Sequence, residues 1–183
     1  MKKLIVLWVT ALTVLSCTST SEYELQVVTI ANGYSLTIPE FLNPMPRLNR
    51  EASLQYQNAF KEFYVIVIDE SKMRLKNEFE RNGIIDKLPD NLDEYTKLCL
   101  PSVQQSLKNY KKLSTIDTTI NDMHAKLISF TGTIENIDIY YTIGYYESKD
   151  IYYQTLVWTT AQRKEEYKEQ MNAILYTLTE VNK

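Results

Sequence analysis

The stretch "FYVIVI" (residues 63–68) is apolar at six successive positions. Side chains of a β-strand alternate between its two faces, so a strand of this kind must be covered on both. The covering layers are legible on either side of it. Upstream, Leu25 to Ile30 and Tyr34 to Ile38 read as a hairpin turning at Asn32-Gly33, a pair that tolerates positive φ, and Ser53 to Gln57 reads as the strand before Phe60 to Ile68. Downstream, Ser71 to Arg81 is a charged helix carrying Met73, Leu75 and Phe79 that stops at Asn82-Gly83. A second helix begins at Asp90 or Asn91, with Leu92, Tyr95, Cys99, Val103, Leu107 and Tyr110 at helical spacing and a kink or restart expected at Pro101. Leu113 to Thr119, His124 to Ile134, Ile137 to Glu147 and Ile151 to Thr159 then form a meander. Its short turns, at Asn121-Asp122, Glu135-Asn136 and Ser148 to Asp150, join antiparallel neighbours. A last helix opens with Thr159 and Gln162 as a capping box and buries Tyr167, Met171, Ile174, Leu175 and Leu178 as one stripe. The expectation is an α+β domain, an antiparallel sheet of about six to eight strands with helices on both faces.

The chain starts differently. Lys2 and Lys3, an apolar run from Leu4 to Leu15 and the small Ser16 compose an export signal, too short to span a bilayer. Val14-Leu15-Ser16-Cys17 resembles the lipobox of bacterial lipoproteins. That resemblance implies diacylglyceration of Cys17 and removal of residues 1–16, leaving 17–24 as lipidated anchor and polar tether and 25–183 as one domain. Two or three acyl chains give stable attachment, since each buried methylene contributes ~0.8 kcal/mol. The expected location is the cell envelope, in the outer membrane facing the periplasm or on the cell surface. Once Lys2 and Lys3 leave with the leader, the 20 Lys and Arg fall to 18 against 23 Asp and Glu, a formal charge of −5. A nucleic-acid partner is therefore not expected. With Cys17 lipidated, Cys99 has no disulfide partner and belongs to the core.

Signs of catalysis are sparse. His124 is the single histidine, so no two-His metal site and no His-paired nucleophile is available, and it reads as structural or surface. The four glycines are too dispersed for a phosphate loop, and neither a nucleophile elbow nor a calcium loop occurs. No cofactor is implied. Two features remain as interaction candidates. The loop "PEFLNPMPRLNR" (39–50) carries Phe41, Leu42 and Met45 and reads either as a lid on the core or as a docking loop. Of the 14 tyrosines, Tyr140-Tyr141, Tyr145-Tyr146 and Tyr152-Tyr153 are adjacent pairs, each sending one ring to each face. They read as packed rings or, through Tyr140, Tyr146 and Tyr152, as an aromatic platform.

The order "NGYSLTIPEFL", strand pair, two helices, meander, "IYYQTLVWTT" and "RKEEYKEQMNAILYTL" resembles the PsbP-like domains, which share the Mog1/PsbP fold with DcrB-type lipoproteins. Gly33, Tyr34, Ile38 and Pro39 match at the start, and Tyr153, Trp158, Thr159 and Tyr167 near the end. The resemblance implies an antiparallel sheet between helical layers and a non-catalytic accessory, chaperone or adapter role, and it carries over no catalytic residue. The expected function is a protein-binding accessory, chaperone or immunity-type module. The alternative is a small-molecule or glycan binder with a Tyr-lined cleft, or a carboxylate-based enzyme. A facing pair of carboxylates with raised pKa inside a pocket would favour the enzyme.

Overall fold

In the computed structural model, which describes residues 23–31 and 33–181, the apolar run at 63–68 occupies an interior strand of a seven-stranded sheet. Residues 1–16, Cys17, the tether up to residue 22 and Asn32 lie outside the described residues. The chain runs β1 (Leu25–Thr29), β2 (Tyr34–Pro39), β3 (Asn43–Pro44), β4 (Leu54–Asn58), β5 (Phe63–Ser71), α1 (Lys72–Arg81), α2 (Leu92–Gln105), β6 (Lys108–Ile120), β7 (Met123–Ile134), β8 (Ile137–Glu147), β9 (Ile151–Thr160), α3 (Lys164–Leu175) and β10 (Thr179–Glu180). The large sheet has the order β3-β4-β5-β9-β8-β7-β6, and its pairings are antiparallel.

Both faces are covered, as the apolar run requires. Ile66, Ile128, Phe130, Ile143, Tyr145 and Leu156 pack under α1 and α2. Phe63, Val65, Val67, Leu127, Tyr146 and Val157 pack on the other side, against α3 and a small second sheet ordered β1-β2-β10. That second sheet departs from expectation. The opening hairpin forms, but it lies apart from the main sheet, pairing with β10 and driving Tyr34, Leu36 and Ile38 fully into the core.

Local chemistry sets the element ends. Ser71 caps α1 by accepting from the Arg74 N–H, and the helix stops at Asn82 before Gly83, whose φ of 68° lies in the left-handed region that favours glycine. Asn91 caps α2 by accepting from the Glu94 N–H. α2 continues through Pro101 without a restart and ends at Gln105. Leu107 and Tyr110, expected on that helix, sit beyond it, Leu107 in the connection and Tyr110 in β6, where Asn109 at φ 53° falls within the register shift between Lys108 and Lys111. The Asn121-Asp122 and Glu135-Asn136 turns have both central residues at positive φ (47° and 65°; 47° and 70°), the geometry of two-residue hairpin loops. The expected capping box on the last helix does not form. A 3-10 turn at Ala161–Arg163 intervenes, α3 starts after Arg163 without a side-chain cap, and the Thr159 hydroxyl is buried on the sheet. Pro44, expected in irregular loop, lies in the edge strand β3, a position that needs no outward donor.

Candidate functional site

The residues singled out from the sequence do not gather into one site. Leu42 is buried. Phe41, half-buried, packs edge-on against Tyr23 (5.1 Å between centroids) and Phe63 (5.7 Å), and the Lys61 ammonium sits 5.1 Å over its ring. Met45 is half-buried and its N–H donates to the Gln55 carbonyl, so the 39–50 segment behaves as the lid of the two alternatives. Tyr140, Tyr146 and Tyr152 are 4%, 0% and 2% exposed, which corrects the platform expectation for these three. The pairs do alternate. Tyr140, Tyr146 and Tyr153 face α3, whereas Tyr141, Tyr145 and Tyr152 lie on the α1/α2 face. Each ring is needed inside: the Tyr146 hydroxyl donates to the Leu175 carbonyl at 2.6 Å, and Tyr152 stacks on Tyr95 at 4.1 Å and 10°.

The aromatic surface lies elsewhere, on the α1/α2 face at the end of the sheet that α2 leaves uncovered. Because β5, β9, β8 and β7 are in register, Tyr64 stands opposite Trp158, Trp158 opposite Tyr141, and Tyr141 opposite Phe130. The rings form a stacked row across four strands, with centroids 5.1, 5.8 and 5.1 Å apart at 9°, 29° and 19°. Tyr110 of β6 extends it at 5.2 Å from Phe130. Rings stacked side by side cover one another's faces and turn their edges outward. Tyr64, Tyr141 and Trp158 are half-buried and, with Ile134, Ile137 and Ile139, line a recess of about 230 Å³ rimmed by Glu62 and Glu135. Burial pushes the Tyr141 hydroxyl up to about 12, and burial with the Glu62 charge raises Tyr64.

Two exposed apolar side chains lie at this end of the sheet, Ile137 in the recess lining and Phe60 on the tip two residues before Glu62. Ile137, at the β7–β8 turn, is 53% exposed, and Phe60, at the β4–β5 tip, is 94% exposed. The tip is held in place. Arg163 donates to Glu62 at 3.2 Å, to Glu166 at 3.0 Å and to the Phe60 carbonyl at 3.4 Å, while the Thr160 hydroxyl donates to Glu62 at 2.9 Å. Glu135 has no ion pair among the described residues, so the rim keeps an unneutralised carboxylate.

Other concave places present charges that are already paired or screened. A groove of about 610 Å³ runs beside the start of α1, past Lys72, Lys76, Leu88 and Tyr152. Its lysines are already paired: Lys72 donates to Glu147 at 2.7 Å while lying 4.5 Å over the Tyr152 ring, and Lys76 is 3.8 Å from Glu80. The facing carboxylates are Glu24 and Glu40, beside Tyr23 and Phe41. Their hydrogen bond and mutual repulsion raise the Glu40 carboxyl, but both side chains are exposed, where water and salt screen the pair. Burial pushes the Cys99 thiol up to about 12, which keeps it protonated and unreactive at neutral pH. His124 is on the surface, 2.7 Å from Asp117, and Lys126 pairs with both Asp93 and Asp117. Among the described residues, no group of three or more His, Cys, Asp or Glu is placed to hold a metal ion, and no helix is long and apolar enough to cross a membrane.

No family profile matches the chain, and no curated protein matches it in sequence. Solved structures do match. The cyanobacterial PsbP (CyanoP) of Synechocystis sp. PCC 6803 superimposes with a TM-score of 0.57 over 91% of this chain and 98% of its own, at 8% identity. LpqN, involved in cell envelope biogenesis of Mycobacterium tuberculosis, gives 0.54 over 87% and 91%, also at 8%. PA94, a protein of unknown function from Pseudomonas aeruginosa, gives 0.51 over 87% and 97%, at 13%. At such identities the likeness is one of fold alone. The described chain is an α+β domain with the PsbP-like fold.

Proposed function

We propose that this is a non-catalytic, lipid-anchored protein of the cell envelope that binds a protein partner through the aromatic end of its sheet, in an accessory, chaperone or immunity-type role. The observation that carries the reading is the pairing of two exposed apolar anchors, Phe60 and Ile137, with the half-buried Tyr64–Trp158–Tyr141 row. Aromatic residues in a preformed pocket supply most of the energy of protein interfaces, and a tip pinned by Arg163 has little freedom left to lose. Glu135 on the rim, which has no ion pair among the described residues, favours a segment that presents an apolar side chain next to a Lys or Arg. A sugar needs an open ring face, and both faces of Trp158 and Tyr141 are occupied by neighbouring rings. The lipobox-like Val14 to Cys17 supports the anchor, and an envelope-biogenesis protein of the same fold supports the compartment.

The test is capture from native membranes after mild crosslinking, with wild type, Phe60→Asp and Ile137→Asp compared at equal abundance. One stoichiometric protein held by wild type and lost from both variants supports the proposal. Capture indifferent to both substitutions contradicts it. Cys17→Ala tests the anchor separately, moving the protein out of the membrane fraction if Cys17 carries the lipid.

A further inference from the structure

The two edges of the large sheet are treated very differently. At one, β3 is two residues long, contains Pro44 and is followed by Pro46, which blunts it. At the other, β6 is a 13-residue strand with no outer neighbour among the described residues. Its first half has the usual safeguards: Lys108, Lys111 and Lys112, with register breaks between 108 and 111 and between 112 and 114. Its second half has neither. From Ser114 to Ile120 the pairing with β7 is regular, and Ser114, Thr115, Ile116 and Asp117 are all exposed.

We infer that this second half of β6 pairs antiparallel with the same strand of a second copy, joining two sheets across a twofold axis at Ile116. The two-residue loop at Asn121-Asp122 makes Ile120 and Met123 a hydrogen-bonded closing pair. Alternate residues therefore turn their N–H and C=O groups outward, and these are Thr115, Asp117 and Thr119. An axis at Ile116 sets Thr115 of each copy opposite Asp117 of the other, so both outward-bonding residues find partners and each threonine hydroxyl meets a carboxylate. Ile116 then faces its own counterpart in a pair without backbone hydrogen bonds, where side chains approach closest. Ser114 falls opposite Thr118, and Lys111 and Lys112 come alongside the Asn121-Asp122 turn of the other copy. An axis one position further on would instead oppose Asp117 to Asp117. On the same face, Ile116 and Tyr176 are 47% and 48% exposed and share a groove of about 260 Å³ with Leu127, Thr142 and Asn172. The axis stands perpendicular to the sheet and keeps these apolar groups together on the α3 side.

The test uses the full chain in mild detergent, with the protein mass measured by light scattering across a dilution series. Wild type is dimeric, and Ile116→Lys, an exposed position, weakens association at least about tenfold while leaving the thermal transition in place. Thr115→Pro, which removes an outward N–H, does the same. Under oxidation Ile116→Cys gives a covalent dimer and Thr118→Cys does not, since only Ile116 meets itself. A monomeric wild type at all concentrations, association that survives Ile116→Lys, or equal crosslinking at both positions overturns the inference.

Discussion

Tyr141 on β8 and Trp158 on β9 are cross-strand partners whose rings stack 5.8 Å apart, with Tyr64 on the far side of the indole at 5.1 Å. Trp158 is thus the middle of a row, contacted on both faces. Its replacement by Ala costs about 2–4 kcal/mol in urea unfolding, through lost burial and two lost aromatic pairs. Phe60→Asp, at a site 94% exposed, stays within about 0.5 kcal/mol of wild type. That split lets binding be probed at Phe60 without disturbing the fold.

Gly144 and Tyr146 occupy the α3 face of β8 two residues apart, and the Tyr146 ring lies back across the glycine. A Cβ on Gly144 would sit 2.8 Å from Tyr146 Cε2 and closer still to the hydroxyl end. Gly144→Ala therefore destabilises by about 1–3 kcal/mol. In a double-mutant cycle with Tyr146→Leu the two effects fail to add by about 1 kcal/mol or more, because the shortened side chain vacates the colliding position.

Glu147 ties both helices of one layer to the sheet. It accepts from Lys72 Nζ at 2.7 Å, from the Leu92 N–H at 2.9 Å and from the Tyr152 hydroxyl at 3.4 Å. Glu147→Ala strips three donors of their acceptor at a half-buried place and lowers stability by about 1–3 kcal/mol. Hydrogen exchange should then accelerate first in the opening turns of α1 and α2.

Cys99 and Tyr141 are both raised by burial to about 12, above the ordinary thiol and phenol values of about 8.5 and 10. Groups raised in this way favour the folded chain while neutral. Their contribution is fully present below the unfolded values and is lost as pH climbs through the folded ones. Stability therefore falls between about pH 9 and 12, visible in a circular-dichroism titration. In the native protein at pH 8 the Cys99 thiol reacts with Ellman's reagent far more slowly than in urea. Equal rates would contradict its burial.

Ile137–Glu147 is bounded in the sequence as in the structure, since Glu135-Asn136 marks a turn and the residues between alternate. Other elements carry no local signal. Two residues, Thr179 and Glu180, have no periodicity, and their strand exists only because β2 supplies the partner. Leu107 and Tyr110 continue the helical spacing of α2 because the same layer buries them from a different element. Alternation is readable, so the splitting of each Tyr pair between faces is too. Which member stays open is set by where α2 ends, and no residue spacing states that. The Tyr64–Trp158–Tyr141 row is a relation across strands. Counting register back from the two-residue Glu135-Asn136 turn places Phe130 and Tyr141 abreast, but the Ser148–Asp150 turn counts one residue short for Trp158, because Glu147 pairs with Tyr152 and not with Ile151, and exposure at Phe60 and Ile137 emerges only from the packed structure.

On the function proposed above, a protein partner meets the aromatic end of the sheet. Site-specific photocrosslinking in the native envelope tests it most directly, with the photoreactive residue at Phe60 or Ile137 and, as controls, at Met73 or Leu98, exposed apolar positions on the helices. One discrete protein adduct is expected from Phe60 and Ile137 and none from Met73 or Leu98. An adduct from the helix positions with silence at Phe60 and Ile137 would contradict it and move the binding surface to the α1/α2 layer.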